Sequence, residues 1–203
     1  MSNVLSLDTI RHRVRESIAL KEALLDERLV GSLATVADMI IASAREGGKV
    51  VLFGNGGSAA DATHLAAEFV GRFKFDRDPL PALSLSDNGS SVTAIGNDYA
   101  YELTFARQLK ALGRPGDTAI GISTSGTSPN VVEALRTARA MDMRTVSFTG
   151  ARGFKMAALS DVSIMIPTQD TARVQEGYML YAHIMCELVE QAIFGATRLQ
   201  QAA

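Results

Sequence analysis

The chain has 203 residues, a formal net charge of −2, 47% hydrophobic and 21% charged residues. This length accommodates one domain with a sizeable core and is too short for two full ones. The composition is typical of a folded, soluble protein. Because Lys and Arg are scattered along the chain, the sequence predicts no nucleic-acid binding.

The single cysteine, Cys186, lies in an apolar helical run and is expected to be a packed, unreactive thiol. One cysteine cannot form an internal disulfide, so an oxidising compartment is not implied. The sequence shows no basic segment followed by an apolar h-region. It also has no apolar stretch that approaches the ~20 residues needed to span a bilayer. We therefore predict a cytoplasmic protein with no membrane partner.

Residues 1–48 are predicted to form two helices. Apolar residues recur at helical spacing between Thr9 and Glu46, with a joint expected at Gly31 and the second helix ending at Gly47-Gly48. These apolar residues are more numerous than one sheet face could cover. The pattern favours packing on a neighbouring subunit as well as on the core.

Residues 49–203 are predicted to form one α/β unit, because short β-branched runs alternate with amphipathic ones. The candidate strands are Val50–Phe53, Pro81–Leu85, Thr118–Ile122, Thr145–Phe148 and Ser163–Ile166. The candidate helices lie near Ala59–Phe73, Tyr101–Leu112, Asn130–Met141, Phe154–Leu159 and Arg173–Phe194. This alternation implies a doubly wound, five-stranded parallel sheet with helices on both faces. The ligand crevice of such a sheet lies at the carboxyl ends of its strands.

The first strand is followed by a polar, glycine-rich loop, Asn55-Gly56-Gly57-Ser58. Glycine lets the backbone approach a ligand, and the free N–H groups at a helix start attract anions. His64 and Glu68 come next at i and i+4, so both project from the same helical face. An enzyme site is one interpretation, and an ordinary turn followed by a surface His–Glu pair is the other.

A second loop, from Ser123 to Ser128, carries five hydroxyl side chains in six residues and leads into another helix. Neutral hydroxyls beside a helix N-terminus can surround a phosphate. The loop contains no Lys, so it is not the phosphate loop of nucleotide triphosphatases. The alternative is a polar loop that only caps the next helix, although capping needs one or two such residues.

Two further features are weaker. Gly96-Asn97-Asp98 is a turn signal that follows a strand, and by itself it favours a simple turn. Gln175 and His183 lie on the last helix within about 80° of each other around its axis. A lone helical histidine is usually structural. The chain has only three histidines, however, and two of them, His64 and His183, fall on helices bordering the expected crevice.

Taken together, these residues resemble the sugar isomerase (SIS) domain family and, within it, the sedoheptulose 7-phosphate isomerases. The resemblance extends from about residue 50 to residue 190, and the two N-terminal helices are also similar to the family's. The matching segments are Gly54-Asn55-Gly56-Gly57-Ser58, His64 with Glu68, Gly71-Arg72, Gly96-Asn97-Asp98, Ser123-Thr124-Ser125-Gly126-Thr127-Ser128 and Arg173-Val174-Gln175-Glu176 with His183.

The resemblance implies a flavodoxin-like SIS fold and a role for each matching residue. Glu68 would be the general base and His183 the general acid of an isomerisation through an enediol. The implied substrate-binding residues are Asn55, Gly56, Gly57, Ser58, Glu68, Arg72, Asn97, Asp98, Ser123, Thr124, Ser125, Ser128 and Gln175. Zinc is the implied cofactor, and the implied metal ligands are His64, Glu68, Gln175 and His183.

The family also implies a product and an assembly. The product would be D-glycero-D-manno-heptose 7-phosphate, which feeds nucleotide-activated heptose synthesis. The assembly would be a homotetramer whose sites include residues from neighbouring subunits. One departure is visible, because Asp170 is displaced from the position directly before Arg173 where the family's pattern leads us to expect an acidic residue.

Two alternatives stay open. Some relatives are non-catalytic binding proteins that associate with the replication initiator and lack the catalytic acid and base. The presence of Glu68 and His183 favours the enzyme. The other alternative is an isomerase or sensor for a shorter sugar phosphate, since the sequence does not reveal the depth of the crevice.

Overall fold

The computed structural model describes residues 7–201, with side chains through Ala196. Residues 1–6 and 202–203, which belong to the two predicted units, lie outside the described residues. The helices are α1 (Leu7–Ala23), α2 (Glu27–Arg45), α3 (Gly57–Val70), α4 (Gly89–Asp98), α5 (Thr104–Leu112), α6 (Pro129–Ala140), α7 (Phe154–Ala157) and α8 (Thr171–Gln201), with a 3₁₀ turn at Tyr101–Leu103. The strands are β1 (Val50–Gly54), β2 (Ala82–Ser84), β3 (Thr118–Ser123), β4 (Arg144–Gly150) and β5 (Val162–Ile166).

The five strands form one parallel sheet in the order β2-β1-β3-β4-β5. This confirms the predicted doubly wound α/β fold, and the order is the flavodoxin-like one. Every residue of β1 and β3 is buried, as expected for parallel strands covered on both faces. The order reverses between β1 and β3, which makes the carboxyl ends of these two strands the place where a ligand is expected.

Two hydrophobic clusters cover the two faces of the sheet. One contains α2, α3 and α8, with Phe69 and Tyr178 among its large buried side chains. The other contains α5, α6 and the short α7, with Phe105 and Leu135 fully packed. Since α3 and α8 share a face, side chains from opposite ends of the chain meet beside the sheet.

The predicted joint at Gly31 is wrong, because α2 runs through it from Glu27 to Arg45. The break between the first two helices instead precedes Asp26, whose carboxylate accepts hydrogen bonds from the N–H groups of Arg28 (3.0 Å) and Leu29 (3.2 Å). A capping aspartate determines a helix start more strongly than an exposed glycine interrupts a helix. The expected end at Gly47 is confirmed, with φ of +78° directly after the last turn of α2.

The expected loop at Gly96-Asn97-Asp98 is also wrong, since these residues form the last turn of α4. The Asn88 side chain caps this helix by accepting a hydrogen bond from the N–H of Ser91 at 3.0 Å. The segment after Asn88 is rich in Gly, Ser and Thr, which have low helix propensity, so packing of α4 against α5 decides its conformation.

The other predicted elements are present with shifted ends. Strand β2 is shorter than predicted, α7 has four residues, and α8 begins two residues earlier and extends to Gln201. None of the helices within residues 7–201 has the length and hydropathy that crossing a membrane requires.

Candidate active site

The candidate site lies where the loops after β1 and β3 leave the sheet. The first loop turns through Gly56, whose φ is +54°, and leads directly into α3. The second turns through Gly126, whose φ is +67°, and leads into α6 with Pro129 at its first position. Both positive φ values favour glycine, so the loop conformation explains these two residues.

A reciprocal amide pair connects the two loops. Asn55 Nδ2 donates to Asn130 Oδ1, and Asn130 Nδ2 donates to Asn55 Oδ1, both at 2.8 Å. The Tyr101 hydroxyl also donates to Asn55 Oδ1 at 3.0 Å. Asn55 therefore keeps one Nδ2 hydrogen for a ligand, and Asn130 and Tyr101 determine where that hydrogen points.

The loop from Ser123 to Ser128, here called the hydroxyl loop, folds around the Ser123 side chain. Ser123 Oγ lies 2.8 Å from Ser128 Oγ and 3.3 Å from Ser125 Oγ. The next strand supports the loop, because the Gly150 N–H donates to the Thr124 carbonyl at 3.1 Å. The hydroxyls predicted to bind phosphate thus lie within one turn of backbone at the N-terminus of α6, the position that suits an anion.

His64, Glu68 and His183 form a polar cluster between α3 and α8. His64 Nε2 lies 3.4 Å from Glu68 Oε1 and 2.9 Å from His183 Nε2. The two imidazole rings meet edge to face, with centroids 5.2 Å apart. The side chains of His64 and Glu68 are 46% and 22% exposed, so a ligand can reach them.

Gln175 belongs to a second network beside this cluster. Its Nε2 donates to Asp61 Oδ2 at 2.7 Å, and the Tyr178 hydroxyl donates to the same oxygen at 2.7 Å. The Tyr178 hydroxyl is also 3.1 Å from Ser58 Oγ. Burial and the hydrogen bond to Asp61 raise the pKa of Tyr178, so it remains a neutral donor. A Cβ atom on Gly57 would lie 2.9 Å from Gln175 Nε2, so Gly57 allows this close approach.

The donor chemistry of the cluster fits zinc, because a second imidazole nitrogen and a carboxylate oxygen both lie within 3.4 Å of His64 Nε2. Tetrahedral ligands at 2.0–2.1 Å are separated by about 3.3 Å, roughly 0.4 Å more than the 2.9 Å between the two Nε2 atoms. Within residues 7–201, no set of three or more His, Cys, Asp or Glu side chains is already spaced for a metal ion. A small outward rotation of the imidazoles would be needed.

Other predicted site residues lie further out. Arg72 is exposed on the loop after α3. Asn97 Nδ2 donates to Asp98 Oδ1 at 2.8 Å on the last turn of α4, next to the 3₁₀ turn that carries Tyr101. Asp170 caps α8, since its Oδ1 accepts from the N–H groups of Ala172 (2.9 Å) and Arg173 (3.2 Å).

Sequence reasoning missed three residues that organise the site: Asp61, Asn130 and Tyr101. Asp61 was detectable, because it precedes His64 by three residues and Glu68 by seven on one helix and thus shares their face. Asn130 stands at the predicted start of a helix, and its second role as partner of Asn55 has no sequence signal. Tyr101 reaches Asn55 through a turn that local sequence does not specify.

Comparison with known proteins identifies the class to which this fold and site belong. A family model for the SIS domain matches residues 14–150. The phosphoheptose isomerase of Burkholderia pseudomallei (strain 1710b) is 52% identical over 190 residues, covering 93% of this chain and 96% of that protein.

Solved structures agree with this comparison. The phosphoheptose isomerase of Neisseria gonorrhoeae is 40% identical with a TM-score of 0.85, over 91% of this chain and 98% of that one. The phosphoheptose isomerase from Francisella tularensis is 31% identical with a TM-score of 0.88. The match covers 93% of this chain and 100% of that one. The chain belongs to the SIS domain family and, within it, to the phosphoheptose isomerases, which confirms the resemblance.

Proposed function

We propose that this protein isomerises D-sedoheptulose 7-phosphate to D-glycero-D-manno-heptose 7-phosphate. The observation that supports this most directly is the meeting of Glu68 and His183 at His64, beside two polar loops at the switch point of the sheet. Proteins up to 52% identical are named phosphoheptose isomerases, and these are aldose–ketose isomerases. The product would supply nucleotide-activated heptose synthesis.

The hydroxyl loop would hold the substrate's phosphate. Ser123, Thr124, Ser125 and Ser128 supply neutral donors at the start of α6, whose N-terminal partial charge also favours an anion. Neutral donors suit a phosphate that is bound and released unchanged. The sugar would extend from this loop past Asn55 toward α3 and α8.

Glu68 and His183 would perform the proton transfers. Glu68 takes the proton from C1 of the ketose while His183 donates a proton to the carbonyl oxygen at C2, which gives the enediol. Glu68 then gives its proton to C2, and the C1 hydroxyl gives its proton to His183, which forms the aldehyde and returns both side chains to their starting states. His64 lies within 3.4 Å of Glu68 and 2.9 Å of His183, so it would hold the two groups in register.

We further propose zinc as the cofactor, held by His64, Glu68 and His183 with Gln175 as the fourth ligand. When bound, zinc would polarise the substrate's carbonyl oxygen. The support is the donor set itself, because imidazole and carboxylate are common zinc ligands. Metal analysis of the purified protein, before and after chelation, tests this directly.

A homotetramer is the proposed assembly. The exposed face of α1 carries Leu7, Ile10, Val14 and Ile18, each more than half exposed, and Leu25 follows with 74% of its surface exposed. A row of large apolar side chains in water is typical of a subunit interface. Light scattering coupled to gel filtration measures the assembly directly.

The function is tested by incubating the purified protein with sedoheptulose 7-phosphate and with shorter ketose phosphates, with and without a chelator. We expect turnover of the seven-carbon substrate. Glu68→Gln removes the base with little change in shape, so we expect the variant to fold and turnover to be abolished. If the wild-type protein binds the sugar phosphate without converting it, the protein is a binding protein and the proposal is refuted.

A further inference from the structure

The loop between α3 and β2, residues 71–81, contacts both helices that carry the polar cluster. It follows α3, which contains His64 and Glu68, and its first residues cross to α8, which contains His183. A buried ion pair and a ring stack are among the interactions that attach the loop to α8. Arg77 and Glu190 of the ion pair, and Phe73 of the ring stack, lie outside the set of residues assigned above to the chemistry.

The ion pair joins Arg77 of this loop to Glu190 of α8. Arg77 Nε donates to Glu190 Oε1 at 3.1 Å, and the two side chains are only 3% and 1% exposed. Glu190 also accepts from the N–H groups of Phe73 (2.9 Å) and Lys74 (2.7 Å). Burial opposes ionisation of this carboxyl, but these two N–H donors and Arg77 together lower the pKa of Glu190.

Arg77 extends the connection back to the end of α3. Its guanidinium donates to the carbonyl of Glu68 at 2.9 Å and to that of Phe69 at 2.7 Å. It also donates to the carbonyls of Gly71 (3.2 Å) and Asp78 (2.9 Å). The last carbonyls of a helix have no partner within the helix, and here one guanidinium occupies several of them, including that of the proposed base.

The ring stack joins Phe73 to His183. Their centroids are 5.8 Å apart with an interplanar angle of 23°, and Nε2 of the same His183 ring lies 2.9 Å from His64 Nε2. Glu190 follows His183 by seven residues, which is two turns along the same face of α8. Because Glu190 binds the N–H of Phe73, the ion pair also determines where the stacked ring lies.

We propose, on the basis of the isomerase function above, that Arg77 and Glu190 are positioning residues that hold Phe73 against His183 and thereby fix the imidazole relative to Glu68. A contribution to stability does not by itself explain a buried ion pair, because a protein with packed apolar residues of similar size in its place is often as stable. A directional network from Glu68 through Arg77 and Glu190 to Phe73 instead gives one fixed geometry.

The chain offers a matched control in Asp117, at the opposite end of the sheet. Asp117 is 2% exposed, pairs with Lys49, and accepts from the N–H groups of Lys49 (2.9 Å) and Arg114 (2.8 Å). It therefore reproduces the chemistry of Glu190, a buried carboxylate with one cation and two backbone donors, without a connection to the polar cluster. Glu190→Gln and Asp117→Asn make the same chemical change in the two places.

The first measurement is turnover, made well below each variant's unfolding midpoint. A misplacement of about 1 Å can cost about 100-fold in rate, so we expect kcat of Glu190→Gln to fall by about 10- to 100-fold with KM changed much less. Asp117→Asn should keep the wild-type kcat although its stability falls. Phe73→Leu, which keeps an apolar side chain, should lower kcat by about tenfold, and Phe73→Tyr, which keeps the ring, should not.

The second measurement does not depend on turnover. In protein with isotope-labelled histidine, the ring-proton NMR signals of His183 should be displaced by the ring current of Phe73. We expect this displacement to be lost in Phe73→Leu and reduced in Glu190→Gln, and kept in Asp117→Asn and Phe73→Tyr. An unchanged His183 spectrum in Glu190→Gln or in Phe73→Leu overturns the proposal. If wild-type protein has no turnover, the isomerase assignment fails, while the spectra still decide whether the pair positions His183.

Discussion

Substitution of Gly57 by alanine tests whether Gln175 is positioned for the substrate. The added Cβ atom would lie 2.9 Å from Gln175 Nε2, closer than packed atoms approach, and 3.2 Å from its Oε1, which is a tight contact. Because the obstacle is the end of a flexible side chain, Gln175 is expected to move and the backbone to stay. The move breaks the 2.7 Å hydrogen bond from Gln175 to Asp61.

The cost to folding should be small. Alanine is favoured over glycine in a helix by about 0.5–1 kcal/mol. Loss of a hydrogen bond to a charged group costs about 1.5–3 kcal/mol, and Asp61 keeps its second donor from Tyr178. We therefore expect the free energy of unfolding, measured with urea, to fall by about 0.5–2.5 kcal/mol.

The effect on activity follows from the substrate contact that the family resemblance implies for Gln175. A neutral hydrogen bond contributes about 0.5–1.5 kcal/mol, so kcat/KM should fall by about 2- to 13-fold. The control is Gly31→Ala on an open face of α2, where an added Cβ has no atom within 4 Å. This variant should keep wild-type activity.

A double-mutant cycle decides the cause. If Gly57→Ala acts by displacing Gln175, it should have no further effect in a Gln175→Ala background. Wild-type activity in Gly57→Ala would refute this reasoning. So would a loss from Gly57→Ala in the Gln175→Ala background that is as large as its loss in the wild-type protein.

Two further predictions concern the hydroxyl loop and the cysteine. Gly126→Ala should raise KM for the sugar phosphate by about tenfold or more and lower stability by about 1–3 kcal/mol, because φ is +67° and the Cβ would lie 2.2 Å from Gly153 Cα. Calorimetric titration with the substrate measures the binding loss, and wild-type affinity would contradict it. Burial raises the pKa of the Cys186 thiol to about 12, so a thiol reagent at pH 8 should react only after denaturant is added. Rapid labelling of native protein would show that the thiol is not packed.

The sheet and the two ligand loops were predictable from local sequence. The strands that begin at Val50 and Thr118 are buried on both faces. Strands of this kind are continuous apolar runs, so the sequence alone indicates them. A polar loop after each of two parallel strands then has only one edge of the sheet to occupy. The pairing of His64 with Glu68 was predictable as well, since both lie on one helix four residues apart.

Helix boundaries were predicted less well where two local signals competed. Gly31 resembled a joint, but the capping carboxylate of Asp26 determines the start of α2. The sequence around Gly96 resembled a turn, but packing on α5 makes it helical. In both places a contact made elsewhere outweighs the propensity of the residue itself.

Only the tertiary structure decided which distant side chains meet. His183 lies 119 residues from His64, Gln175 lies 114 from Asp61, and Glu190 lies 113 from Arg77. All three contacts arise because α8 packs beside α3 and the loop that follows it. They require one particular rotation of α8 about its axis and one particular offset along α3. Helical periodicity predicts that α8 has a buried face, but the angle and offset at which that face meets α3 depend on the packing of the whole core.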